Sequence, residues 1–212
     1  MMLCKLSDVK TLLKIAADDT SQDDRLNLMI KGVSAEIESY IGYKLEYGSY
    51  TEELHNVNSR QLIQLNHFPI RGVTSVTIND KAVEDFKIIP EYARWGRLYK
   101  GNGWNGGIYT RGFTHDVVSG VWEIKVTYTA GYKTPGDSDY TEDGEYALPY
   151  DIVTACINQV VMNYNYDSMG ATGLKSHHEG NISDTFGDAA TEGGLAVGVK
   201  KLLDSYVWYG VA

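Results

Sequence analysis

The spacing of apolar residues changes twice along this chain, and these changes constrain its fold more than any other feature. From residue 21 to 42 apolar side chains recur every three or four positions, which predicts an amphipathic helix. From about residue 50 to 132 they alternate with polar ones, as in strands, and helical spacing returns after Pro149. We therefore expect an α+β fold in which an antiparallel β unit is inserted in the sequence between N-terminal and C-terminal helices that form a bundle.

The N-terminal residues 1–49 are predicted to form an αα-hairpin. A short first helix carries Val9 and Leu12 on its apolar face, and an acidic turn around Asp18 leads into a longer helix that stops at Gly42. The apolar stripe of this second helix is the most regular in the sequence and consists of Leu26, Met29, Ile30, Val33, Ile37, Tyr40 and Ile41. Such a hairpin cannot bury its stripe alone, so other helices must complete a bundle.

Residues 50–132 read as the β unit. Its candidate strands are residues 60–66, 72–79, 85–89, 96–100 and 121–129. In the last of these, Trp122, Ile124, Val126 and Tyr128 make one apolar face, as expected for a sheet that is packed on one side. The dipeptide Asn79-Asp80 is typical of a tight turn between two strands.

Two further parts complete the predicted organisation. Residues 133–167 read as an acidic loop followed by a third helix, and residues 168–212 as a flexible segment followed by a C-terminal docking helix. The end of the chain is rich in apolar and aromatic residues, which suggests docking against another surface. The residues concerned are Leu195, Val199, Leu202, Leu203, Tyr206, Trp208 and Tyr209.

A second unusual segment is the loop of residues 101–120. It holds six glycines interspersed with Trp104, Tyr109 and Phe113. A loop of this length in a compact domain is usually functional or disordered.

Composition excludes several classes of protein. The chain has 19 basic and 28 acidic residues, a net charge of −9, which does not fit a protein that binds nucleic acid by neutralising phosphates. No secretion signal and no membrane-spanning run is recognisable, so we expect a protein outside the membrane. Cys4 and Cys156 lie far apart in sequence without metal-ligand spacing, which predicts two reduced thiols.

Three motifs resemble cofactor or metal sites, but each lacks the neighbouring structure or ligand that such a site requires. Gly101 to Gly106 spells G-x-G-x-x-G, but another glycine-rich loop follows where a dinucleotide site needs a helix. A calcium loop starting at Asp139 has Tyr150 where the bidentate Glu belongs. The adjacent His177 and His178 diverge in regular structure. No nucleophile has a recognisable catalytic setting, so we expect no cofactor, no metal and no enzyme.

The order of several local motifs resembles the head-tail connector proteins of long-tailed bacteriophages, also called adaptor or head completion proteins. The motifs are residues 6–15, the helix with Ala35-Glu36-Ile37-Glu38-Ser39-Tyr40-Ile41-Gly42, the stretch Leu65 to Val76, the sheet-ending Val126-Thr-Tyr-Thr-Ala-Gly-Tyr132 and Leu148 to Ala155. The resemblance covers about residues 5–165 and returns weakly at residues 202–206. The loop at 101–120 and the connections within 133–194 depart from the family's pattern.

The resemblance implies a structural role in the neck of a virion. Such proteins form a homo-oligomeric ring, usually a dodecamer, that docks on the portal protein, extends the DNA channel and receives a stopper or tail-completion protein. Genomic DNA would pass through the lumen without sequence-specific binding. Assembly would take place in the cytoplasm of the host bacterium, without a membrane.

On this basis the two aromatic segments become candidate assembly sites. We expect the C-terminal set to dock on the portal, so that deleting residues 195–212 leaves a folded subunit that no longer binds the portal. We expect the loop of Trp104, Tyr109 and Phe113 to contact a neighbouring subunit or neck protein. Acidic residues are expected to face the lumen, where they repel DNA. The alternative is a binding module in which the β unit presents the aromatic rings of Trp104, Tyr109 and Trp122 to carbohydrate or a host surface.

Overall fold

The computed structural model describes residues 1–56, 60–104, 123–168, 176–179, 182–185 and 194–210. The chain divides into two compact units, a helical unit of residues 1–43 and 133–212 and a sheet unit of residues 44–132. The sheet unit is therefore an insertion between two parts of the helical unit, and it begins before the expected residue 50. The predicted α+β class is confirmed.

Helices and strands alternate in blocks along the chain, as the periodicity indicated. The helices are α1 (Leu6–Leu13), α2 (Asp23–Ile41), α3 (Pro90–Ala93), α4 (Tyr150–Ser168) and α5 (Val197–Leu203), which runs into a 3₁₀ turn at Asp204–Tyr206. The strands are β1 (Gly48–Asn56), β2 (Leu62–Gln64), β3 (Ile70–Ile78), β4 (Lys81–Ala82), β5 (Phe86–Lys87), β6 (Arg97–Lys100), β7 (Glu123–Ala130), β8 (Ser176–Glu179) and β9 (Ile182–Thr185).

The core of the helical unit lies between α2, α4 and α5, with α1 beside them. From α2 it takes five members of the predicted stripe, Leu26, Ile30, Val33, Ile37 and Ile41, while Met29 and Tyr40 are half-buried. Facing them from α4 are Ile152, Val153, Cys156 and Val160. Gly42 adopts a left-handed conformation with φ of 86° and ends α2, as predicted.

The first helix differs from expectation at one position. Leu12 was predicted on the apolar face but is 56% exposed, whereas Lys10 is buried. The ammonium group of Lys10 donates to the backbone oxygens of Ala17 and Asp19 and, at 2.9 Å, to the carboxylate of Asp23. The turn between the helices thus wraps around a lysine, and these bonds offset the cost of burying its charge.

The sheet unit contains two antiparallel sheets that share one apolar core. The first has strand order β1-β7-β3-β4 and the second β2-β6-β5. In β7 every second side chain from Ile124 to Ala130 is fully buried, which confirms the predicted apolar face within the described residues; Trp122 lies outside them. The positive φ angles of Asn79 and Asp80 confirm the predicted tight turn, which joins β3 to β4.

The two ends of the sheet unit are joined by backbone hydrogen bonds. The amide of Gly131 donates to Pro69, that of Tyr132 to Leu45, and that of Tyr47 back to Tyr132. Gly131 has φ of 96°, and a Cβ there would overlap the Glu46 carbonyl and lie 2.9 Å from the Cα of Tyr47. Only glycine fits this close approach, which explains the glycine in the sheet-ending motif.

A polar cluster around Glu53 on β1 also connects distant segments of the sheet unit through hydrogen bonds. The Glu53 carboxylate accepts hydrogen bonds from the Tyr128 hydroxyl at 2.6 Å and the Asn66 amide at 2.9 Å, and lies 2.6 Å from Nε2 of His55. Burial by itself raises the pKa of Glu53, but these hydrogen bonds outweigh it and hold the pKa at about 2. The His67 ring, stacked on Tyr50 at 3.6 Å, covers the cluster.

The two cysteines, distant in sequence, are neighbours in the helical unit. Both are buried and free, and their sulfur atoms lie 3.5 Å apart. The pKa of the Cys4 thiol is raised by its hydrogen bond with Cys156 and by burial. The adjacent Leu3 amide donates to Ser34 of α2, so the first residues of the chain are fixed to the helices. The expectation of two thiols without metal-ligand spacing did not foresee this contact.

The segment of residues 168–194 was expected to be flexible or to be ordered by a partner. Instead, β8 and β9 form a two-stranded antiparallel hairpin in which His177 pairs with Asp184 and His178 with Ser183. Gly180 and Asn181, the two residues between the strands in sequence, are a common hairpin dipeptide that sequence reading had overlooked.

The close approach at Gly131 predicts a stability difference between two glycines. Gly131→Ala forces a Cβ into the Glu46 backbone at an unfavourable φ and is expected to lower the free energy of unfolding by about 2–4 kcal/mol. Gly32→Ala is the control, because a Cβ at Gly32 meets nothing within 4 Å and alanine favours the helix by about 1 kcal/mol. Urea unfolding measures both. Equal stability of Gly131→Ala and wild type would contradict the argument.

The Glu53 cluster predicts an acid-sensitive component of stability. Because the pKa of Glu53 falls from 4.5 to about 2 on folding, its contribution is complete above pH 4.5 and is lost as the pH drops toward 2. After allowance for solvent screening, Glu53→Gln is expected to cost about 2 kcal/mol at pH 7 and about half of that or less at pH 3. The control Glu52→Gln alters an exposed neighbour and should leave urea unfolding unchanged at both pH values. A pH-independent effect of Glu53→Gln would refute the assignment.

Candidate functional site

The predicted C-terminal docking residues separate into a buried and an exposed group. Leu195, Val199 and Leu203 are buried in the helical unit, where α5 packs against α4. The side chain of Gln159 on α4 fixes the start of this segment by accepting a hydrogen bond from the Ala196 amide at 2.8 Å. These three apolar side chains therefore belong to the subunit's own core.

The chain after α5 is also tied to the helical unit. The Tyr40 hydroxyl donates to Asp204 at 2.6 Å, and the Trp208 amide donates to the Ile41 carbonyl at 2.8 Å. The hydrogen bond to Asp204 raises the pKa of Tyr40 to about 12. Tyr206 and Trp208 are half-buried. Deleting residues 195–212 would remove core side chains as well as exposed ones, so the expectation that this deletion leaves the subunit intact is corrected.

Three apolar side chains on and after α5 nevertheless remain exposed. Leu202 is 38% exposed and Tyr209 85%, and Val197, which sequence reading had missed, is 64% exposed. A groove of about 360 Å³ lies between α2 and α5. Its lining includes Ala35, Ser39, Tyr40, Leu195 and Lys200. We call Val197, Leu202 and Tyr209 the C-terminal apolar surface.

The glycine and aromatic loop is described only in its first residues. Trp104 is fully buried in the core of the sheet unit, and its indole N–H donates to the carbonyls of Gln61 at 3.1 Å and Leu98 at 3.3 Å. Its ring is therefore a core element and offers no surface to a partner. Tyr109 and Phe113 lie outside the described residues.

Charge is distributed unequally between the two units. The helical unit carries nine basic and nineteen acidic residues, a net charge of −10, and the sheet unit carries ten basic and nine acidic residues, a net charge of +1. Together they give the −9 of the whole chain. The acidity that composition revealed thus belongs to the helical unit.

Within the described ranges, no group of three or more His, Cys, Asp or Glu side chains has the geometry to hold a metal ion. The residues most similar in type to a metal site, Glu53, His55 and His67, are engaged in the polar cluster of the sheet unit. Asp139, the first residue of the calcium-like loop, is paired with Lys133 at 2.6 Å. Among the described helices, none combines the length and the apolar character that crossing a bilayer requires.

Solved structures with a similar fold come from gene transfer agent particles. A chain from the neck of an empty particle, computed with C6 symmetry, matches with a TM-score of 0.56 and 15% sequence identity over 99% of this chain and 92% of that chain. A chain from the virion of a native particle matches with a TM-score of 0.52 and 15% identity over the same shares. At this identity the likeness shows a shared fold.

The sequence comparisons are more specific about family. A search of curated proteins finds no significant match. The profile of the head completion protein family matches residues 2–173, which is most of the 212 residues and spans both the sheet unit and α4. The resemblance carried by the local motifs is thereby confirmed, and the chain belongs to the head completion protein family.

Proposed function

We propose that this protein is the head-tail adaptor of a tailed phage or phage-like particle. In this role, copies of the chain form a ring, of twelve by the family resemblance, that docks on the portal and receives a stopper or tail-completion protein. The observation that carries the proposal is the family match over residues 2–173. The fold shared with a chain from the neck of a gene transfer agent particle supports it.

The unequal charge distribution supports a role as a DNA conduit. A wall that carries negative charge repels phosphate and lets DNA slide without sticking to it. With a net charge of −10, the helical unit is the natural lining for such a channel, and the nearly neutral sheet unit is suited to contacts away from DNA. DNA then meets the protein without sequence-specific binding.

The C-terminal apolar surface is the best candidate for docking on the portal. Val197, Leu202 and Tyr209 are exposed and lie on a segment that hydrogen bonds hold against α2. An exposed aromatic ring on a fixed backbone loses little entropy when it is covered, which suits an interface anchor. The buried residues of the original set act indirectly, because they position α5.

A structural role in the virion neck needs no catalytic group or cofactor, and we infer that the chain acts there without enzymatic activity after assembly in the host cytoplasm. The alternative, an aromatic module that binds carbohydrate, is disfavoured by one observation. Trp104, the first of its proposed platform residues, is fully buried and hydrogen-bonded inside the sheet unit.

The adaptor role predicts the phenotype of particles that lack this chain. A stop codon early in its gene is expected to yield DNA-filled heads without attached tails, because the portal cannot receive the tail. Electron microscopy of the particles and restoration of tails by a plasmid copy provide the measurement. Normally tailed particles without the chain would refute the adaptor role.

The C-terminal apolar surface predicts a specific loss of portal binding. The double variant Leu202→Glu, Tyr209→Ser is expected to bind the portal at least about tenfold more weakly, because two interface anchors are lost. Its fold should be retained, since both side chains are exposed. Pull-down with the portal from the same genome measures binding, and circular dichroism checks the fold.

The matched control for this variant is Leu28→Glu, Tyr150→Ser. It also changes one exposed leucine and one exposed tyrosine of the helical unit, both 73% exposed. The control should bind the portal like wild type. Equal weakening by the two double variants would show that the C-terminal surface has no special role.

A further inference from the structure

The second sheet of the sheet unit has an outer face of unusual composition. Along β2, β5 and β6, alternate side chains point into the core, as Ile63 and Leu98 do. The residues on the opposite side are Leu62, Gln64, Lys87, Arg97 and Tyr99, which cross-strand pairing places on one face. This outer face contains two cations and an aromatic ring but no acidic residue.

The two cations of the outer face lack an acidic partner. Within the described parts of the chain, neither Lys87 nor Arg97 forms an ion pair, whereas Lys5, Lys10, Arg25, Lys100, Lys125 and Lys133 each do. In a protein with nine more acidic than basic residues, two adjacent cations without a carboxylate are notable. The face therefore has positive charge available for a partner.

Arg97 is also held in position. The amide group of Gln64 donates to the backbone oxygens of Leu65 and Trp95, which turns its Oε1 toward Arg97, whose Nε donates to it at 3.4 Å. The guanidinium is thus oriented through one nitrogen, and its terminal N–H groups can form a paired hydrogen bond with a carboxylate. An arginine fixed in advance loses less entropy on binding.

Aromatic side chains extend the outer face. The ring of Tyr99 lies 6.4 Å from that of Tyr92 on α3, and Tyr92 is 36% exposed. Ile88, directly after β5, is 42% exposed. Tyrosine and arginine together, with apolar neighbours, are the residues enriched at the centres of protein interfaces. Two cations are too few for strong binding to nucleic acid, which depends on neutralising many phosphates.

The complementary surface is present on the chain itself. The helical unit has a net charge of −10 and exposes acidic residues that form no ion pair within the described residues. Among them are Asp18, Asp24, Asp143 and Glu145. A surface that attracts carboxylates and a surface rich in carboxylates, both on one chain, are suited to a head-to-tail contact between copies. Such contacts close into a ring when the rotation between neighbouring copies closes.

We propose that the outer face of the second sheet, centred on Arg97 and Lys87, binds the acidic helical unit of a second copy of this chain. The proposal rests on the ring of the proposed function and names the surface that builds it. The contact joins different surfaces on the two copies. Each copy therefore uses the outer face of its second sheet to bind one neighbour and its acidic helical unit to bind the other. Charge complementarity sets the orientation of neighbouring subunits.

Zero-length cross-linking between isotopically distinct copies tests this contact. Unlabelled and ¹⁵N-labelled full-length chains are mixed, treated with a carbodiimide that joins lysine amines to carboxylates, digested and analysed by mass spectrometry. We expect peptides of mixed label that link Lys87 to acidic residues of segments 1–43 or 133–168. Their yield should fall as salt is raised, because the contact is electrostatic.

Charge reversal supplies the matched comparison. Arg97→Glu is expected to reduce the mixed-label Lys87 cross-links by about tenfold, because attraction turns into repulsion. Lys81→Glu changes an exposed lysine on β4 of the same unit and should leave them unchanged. The absence of mixed-label Lys87 cross-links in the wild type, or equal effects of the two variants, would overturn the proposal.

The outcomes also separate this proposal from others. Binding of a DNA duplex that Arg97→Glu abolishes, without mixed-label cross-links, would overturn it and assign the face to nucleic acid. Particles that need the chain for tail attachment but show no Lys87 contact would refute this face and leave the adaptor role intact. Tail attachment without the chain would refute the adaptor role whatever the cross-links show.

Discussion

The fold depends on the close approach of two backbone segments at the base of the sheet unit. The chain leaves the helical unit after residue 43 and returns to it at residue 133, and the hydrogen bonds of Tyr47 and Tyr132 bring the two passages together. Gly131 makes this possible, because any side chain there would overlap Glu46. The chain thus returns near the point where it left, which is compatible with the packing of α2 on α4 across the insertion.

The net negative charge of the chain is distributed unequally between its two units. All of the excess acidity lies in the helical unit, while the sheet unit has a net charge of +1. One face of the sheet unit carries two cations, Lys87 and Arg97, that form no ion pair with any described residue. A single chain that separates its charges in this way suits both tasks of the ring subunit that we propose. It can present a repulsive wall to DNA, and it can offer neighbouring copies surfaces of opposite sign.

Sequence reading was most successful where structure is decided locally. The stripe of α2, the alternation of β7 and the turn at Asn79-Asp80 follow from helix period, strand period and turn chemistry. It was wrong about the burial of Leu12 and about the effect of deleting residues 195–212, and it missed the hairpin of β8 and β9. Sequence reading also misjudged Trp104, which is buried in the core of the sheet unit. An aromatic residue among glycines has the same local sequence whether its ring is covered by a partner or by the protein's own core.

By itself, then, the sequence determined the order of the helical and β parts of the chain, the insertion of the β unit and the family, whereas β1, α3 and the hairpin of β8 and β9 were not predicted. Those properties depend on neighbouring residues and on their spacing along the chain. The tertiary structure alone decided which side chains meet across long separations. It placed Cys4 beside Cys156, enclosed Lys10 in its turn, assembled the cluster of Glu53, and divided the C-terminal residues into core and surface. Burial and pairing depend on contacts between distant segments, which periodicity does not encode.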